Sequence, residues 1–81
     1  MDMAELSETA GCEAEIDSGS IVLRVAVPMP DGFKPARAAL GRVLEWLRVR
    51  GVSPASEPQI LGDGADTRVD IPLRQLTESF E

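Results

Sequence analysis

The 81-residue chain reads as an α+β domain of two layers, one amphipathic helix packed on a mainly antiparallel three- to four-stranded sheet. Three stretches predict it. In "SIVLRVAVP", residues 20–28, Ile21, Leu23, Val25 and Val27 alternate with Val22, Arg24 and Ala26, the period of a strand with one strongly apolar and one mixed face. Ala36, Ala39, Leu40, Val43, Leu44 and Leu47 recur at helical spacing and form one stripe at about 100° per residue. In "TRVDIPL", residues 67–73, Val69, Ile71 and Leu73 alternate with Arg68, Asp70 and Pro72. A strand–helix–strand–strand order lays the helix stripe over Ile21, Leu23, Val25, Val27, Ile60, Val69, Ile71 and Leu73. The other sheet face stays open.

The elements follow in order. Residues 1–20 hold six acids (Asp2, Glu5, Glu8, Glu13, Glu15 and Asp17) and no base. With few large apolar groups, segment 1–19 is expected to be at least partly disordered, an acidic segment that solvates the chain or docks on a protein partner. "CEAEIDSGS" offers a short partner strand for the first one, joined by the turn chemistry of "DSGS". Pro28, Pro30 and Asp31-Gly32 then turn the chain. Pro35 fits the first turn of the helix, and Gly51 fits the left-handed position just past its end. "VSPASEP" is a loop, "PQILG" a short strand, and "DGAD", residues 63–66, the strongest hairpin signal. Pro72 cannot donate to a ladder, so the last strand is either an edge or ends its pairing there. "RQLTESFE" continues that strand briefly or frays. The module spans 20–76, followed by a C-terminal tail, 77–81.

Composition narrows the function. A single cysteine, Cys12, makes no internal disulfide, and the chain has no histidine, the commonest general base and metal ligand. No metal or other cofactor is expected. No run approaches the ~20 apolar residues of a membrane span, and no targeting segment opens the chain, so a soluble cytoplasmic protein is expected. A net charge of −6 argues against nucleic-acid binding.

Few residues invite a chemical role. Glu45-Trp46 sets the only tryptophan beside a carboxylate, a pairing suited to a lipophilic cation. Neighbours on a helix diverge, however, so Glu45 is read as a solvated charge and Trp46 as the edge of the core, its N–H reaching solvent or a carbonyl. Arg24, Arg68 and Asp70 project from the open sheet face, to orient a polar ligand, seal a dimer or pair with each other. Met29 and Phe33 flank "PDG" and staple the helix entry. Without histidine, only carboxylates or Lys34 remain as bases, and no enzyme activity is expected.

"DGF" (31–33), "LGRVLEWLRVRGVSP" (40–54) and "RVDIPL" (68–73), with Leu44, Trp46, Leu47, Gly51, Pro54, Ile71 and Pro72, resemble one module of the GyrI-like effector-binding family. The likeness covers about residues 20–76. It implies two such modules around a small-molecule cleft, which a homodimer of this chain would rebuild on the sheet side away from the helix. Met29 and Phe33 would lie at the cleft mouth, with Trp46 at its rim and Arg24, Arg68 and Asp70 inside. The implied function is non-enzymatic binding of a small apolar or cationic effector. The rival expectation is a protein-interaction or inhibitor module that acts through its acidic segment or an open sheet edge.

Overall fold

In the computed structural model, which describes residues 3–73, two helices lie on one face of a four-stranded antiparallel sheet. The elements are α1 (Met3–Ala10), β1 (Glu13–Asp17), β2 (Ser20–Val25), α2 (Phe33–Val49), β3 (Gln59–Asp63) and β4 (Asp66–Pro72). The sheet order is β1-β2-β4-β3, with every neighbouring pair antiparallel. The two-layer α+β class is therefore the observed one.

Both hairpins come from two-residue loops. Ser18 and Gly19 both take positive φ between β1 and β2, the type I′ pattern that matches strand twist. Gly64-Ala65 joins β3 to β4. The "CEAEIDSGS" strand thus forms, with Ile16 opposite Ile21 and Ala14 opposite Leu23. α2 stops where Gly51, at φ 74°, turns left-handed. The Val52 N–H donates to the Leu47 carbonyl and the Gly51 N–H to that of Arg48, which closes the last turn in a Schellman motif.

The core lies between the sheet and the helices: Ile21, Leu23, Val25, Val69, Ile71 and Leu73 from below, Ala36, Ala39, Val43, Trp46 and Leu47 from above. Leu40 and Leu44 are only half-buried, whereas Trp46 is 9% exposed. The buried stripe of α2 is rotated toward Trp46 because a second helix covers that flank. Val27, expected in the core, lies beyond the end of β2 and is exposed.

That second helix lies within the acidic segment 1–19, which was expected to be at least partly disordered. Residues 3–10 are helical, Leu6 and Ala10 are fully buried, and α1 packs on β1 and α2. Met3, Leu6 and Ala10 share one helical face, and the acids occupy the others. Eight residues are too few for a stable isolated helix, so α2 must hold α1 in place. Arg42 donates to the Thr9 carbonyl at 3.1 Å and the Ala10 carbonyl at 2.6 Å, filling acceptors that the helix end leaves free. Arg50 reaches Glu5 at 2.7 Å at the other end. Arg42→Ala is expected to cost about 1 kcal/mol in urea unfolding; no change would mean that water serves the α1 carbonyls equally well.

β4 is an interior strand, and backbone pairing runs past Pro72, since the Leu73 N–H donates to the Gly19 carbonyl and Leu73 bridges to Pro54. β3 reaches only to Asp70, and beyond it the Pro72 carbonyl accepts from the Ala55 N–H at 2.8 Å. The tail 77–81, the continuation through "RQLTESFE" and Phe80 lie outside the described residues.

Candidate functional site

The strand registers arrange the open sheet face in rows. Glu13, Arg24, Arg68 and Leu61 form one, and Glu15, Val22, Asp70 and Gln59 the next. Arg24 stands directly opposite Arg68, an unfavourable like-charge pair unless each is compensated. Both are. Arg24 donates to Asp63 at 2.8 Å and lies 3.6 Å from Asp66 and 4.0 Å from Glu13. Arg68 Nε donates to Asp70 Oδ1 at 2.8 Å. The hydrogen bond that Arg24 donates to Asp63 raises the Arg24 pKa, and the one that Arg68 donates to Asp70 raises the Arg68 pKa. Val22 sits at the floor of a hollow on this face and is 3% exposed. These solvent-facing pairs are screened by water and salt, so they shape the face more than they stabilise it.

Beside Arg68 and Asp70 lies a hollow of about 440 Å³, bordered also by Asp17, Ser20, Glu57 and Gln59. Three carboxylates against one guanidinium suit a polar cation, and Val22 and Pro72 supply the apolar part of the wall. Taken with Glu13, Glu15, Asp63 and Asp66, the face is strongly acidic. α2 with its C-cap is the counterpart, carrying Lys34, Arg37, Arg42, Arg48 and the capping Arg50 against Glu45 alone.

The two edges of the sheet differ. β1 bears Glu13, Glu15 and Asp17, charges of the kind that discourage another strand from pairing. β3 has no charge from Gln59 to Gly62. Counted from the hydrogen-bonded pair Asp63–Asp66 at the loop, pairs alternate, so Ile60 and Gly62 turn their backbone groups to the free edge. Leu61, 43% exposed, stands beside this edge on the open face. Met29, 38% exposed, lies against Gly62. "PQILG" read as a short strand, but only the sheet order makes it an edge.

The six residues named from the sequence thus fall in four places. Arg24, Arg68 and Asp70 share the open face; Met29 lies by β3 and Phe33 opens α2, exposed on the flank of Leu40 and Leu44. Trp46 belongs to the opposite layer, toward α1. Its ring lies under the Arg50 guanidinium, 4.0 Å from the centroid, and its Nε1 is buried with no acceptor among the described residues, not at solvent or a carbonyl as expected. Glu45 is exposed and paired with Arg48, whose hydrogen bond lowers its pKa. Glu45 and Trp46 nonetheless border one broad groove of about 670 Å³ on the outer side of α2, together with Arg37, Ala38, Gly41 and Val49.

Burial pushes the Cys12 thiol pKa up, outweighing the opposite pull of Arg42. A thiol raised in the folded state stabilises the fold below its unfolded pKa, and that contribution fades as pH climbs through the folded value. Alkylation by iodoacetamide at mildly alkaline pH is expected to be slower in the folded chain than in urea; equal rates would contradict this.

Among the described residues, no three His, Cys, Asp or Glu side chains converge to hold a metal ion, and no helix is long and apolar enough to cross a membrane. Compared with protein-family models, with curated proteins and with solved structures, the chain matches none.

Proposed function

We propose that the chain is a non-enzymatic binding module that takes up an extended segment of a protein partner as a fifth strand on β3. The observation that carries this is the uncharged edge Gln59–Gly62, with Leu61 and Met29 exposed beside it, in a sheet whose other edge is guarded by acids. Strand addition draws affinity from main-chain hydrogen bonds and specificity from alternate side chains, and an apolar alternating peptide matches this edge.

The test is selection of binding peptides from a random library, followed by amide hydrogen exchange on the complex. Exchange at Ile60 and Gly62 is expected to slow while the rest of the sheet is unaffected. Peptides that leave both amides unchanged would remove the proposal.

A second reading, drawn from the GyrI-like resemblance, is a small effector held on the open sheet face. It is favoured by the hollow around Arg68 and Asp70, whose excess of carboxylates selects a cationic ligand. Protection confined to residues around Asp70 and Ser20, produced by a small cation, would support it over strand addition.

A further inference from the structure

The free edge of β3 carries a pattern that fits itself. Asp63 and Asp66 close the two-residue hairpin loop as a hydrogen-bonded pair, so Gln59 and Leu61 also bond inward to β4. Ile60 and Gly62 therefore each hold one N–H and one carbonyl toward the edge. Pro58, next in the alternation, has no N–H to offer. Gln59, Leu61 and Asp63 stand exposed on the open face, and Asp63 is the one charge in the strand.

Three antiparallel registers bring Ile60 and Gly62 of one copy opposite those of another. With Ile60 opposite Ile60, Gly62 faces Pro58, which lacks a donor. With Gly62 opposite Gly62, Ile60 faces Gly64 in the loop, where φ is 64° and strand pairing ends. With Ile60 opposite Gly62, all four edge groups of each copy engage in two hydrogen-bonded pairs, four bonds across the edge. We propose that two copies of the chain associate in this last register, β3 to β3 about a twofold axis at Leu61, as one eight-stranded sheet. This rests on the reading of β3 as an edge that accepts a strand, and it names the occupant.

The side chains agree with that register. Leu61 of each copy stands directly opposite the other in a non-hydrogen-bonded pair, where side chains come closest, and the two cover each other. Gln59 stands opposite Asp63 at both ends, so the two Asp63 carboxylates never meet. Arg24 engages Asp63 Oδ2, which leaves Oδ1 to accept from the Gln59 amide without breaking that ion pair. On the helix side, Met29 Cγ lies 3.3 Å from where a Cβ on Gly62 would stand, so Ile60 of one copy comes against Met29 of the other. The interface is isologous and closes as a dimer. A five-residue edge is about 17 Å long and buries less than the ~1,200 Å² of a stable complex, so association is weak and concentration-dependent.

Sedimentation equilibrium of the whole chain from the micromolar to the millimolar range, with amide hydrogen exchange at both ends of that range, tests this. The unmodified chain is expected to move from monomer to dimer, with exchange at Ile60 and Gly62 slowing as it does. Leu61→Lys and Leu61→Glu each set like charges opposite one another across the axis and should each weaken association about tenfold or more, while circular dichroism shows that both fold. An equimolar mixture of the two should associate about tenfold more tightly than either alone. A mixture no tighter than its components overturns the proposal, as does a dimer that leaves Ile60 and Gly62 exchanging at the monomer rate. A chain that stays monomeric throughout, while a library-selected peptide protects both amides, overturns the self-pairing alone and leaves strand addition standing. Monomer without such protection removes both.

Discussion

Gly32→Ala is expected to remove more than half of the chain's stability. The Gly32 backbone has ordinary dihedrals, φ −79° and ψ −7°, so the obstacle is space. A Cβ there would overlap Thr67 Oγ1 and the Val27 carbonyl oxygen and lie 2.8 Å from Thr67 Cβ. Thr67 is fully buried, and its hydroxyl donates to that same carbonyl at 2.7 Å, so neither neighbour can yield without leaving a buried polar group unpaired. Gly32 also starts α2, its N–H held by the Pro28 carbonyl and its carbonyl by the Ala36 N–H. Overpacking and a lost buried hydrogen bond together cost about 3 kcal/mol or more, a large part of the ~5 kcal/mol at the low end for small domains. Urea unfolding measures this; a midpoint near that of the unmodified chain would show that the approach of α2 to β4 is looser than drawn. Gly41→Ala, in the open middle of the same helix, is expected to raise the midpoint at concentrations where the chain is monomeric.

Leu6→Ala is the second large effect, expected at about 2–5 kcal/mol. Leu6 is 0% exposed in the cluster that includes Trp46, Val43 and Ile21, and its removal leaves a cavity under a helix too short to survive alone. Deletion of residues 1–10 should cost at least as much, because it also exposes the flank of Trp46. If the acidic segment were only a solvating tail, both changes would be silent in urea unfolding.

The fold class was legible because alternation in 20–27 and 67–73 and the helical stripe in 36–47 each report burial on one side of one element. What escaped depends on contacts between elements. Residues 1–10 hold three acids and no base, while the apolar signal on the buried face is three residues, Met3, Leu6 and Ala10, at spacings that matter only if a neighbour receives them. The same neighbour rotates the core face of α2 from Leu40 and Leu44 toward Trp46. Pro72 suggested an edge, but β3 ends its pairing at Asp70, so the missing donor costs nothing in an interior strand. Of the candidate site, alternation put Arg24, Arg68 and Asp70 on the open face. Their partners Asp63 and Asp66 emerge only from the order β2-β4-β3. The groove on α2 had one local signal, a glycine inside a helical pattern, which by itself did not say what should fill the space.

The separation of charge between the two layers governs how other molecules arrive. From far away the chain is an anion of net charge −6, but within a Debye length, about 8 Å at physiological salt, an approaching molecule feels only the side it faces. Cations are drawn toward the sheet and anions toward α2, so encounters are oriented before any contact forms. Retention by both anion and cation exchangers at low salt is the macroscopic sign of such a molecule, and the diffusional capture of a partner should slow steeply as salt is added.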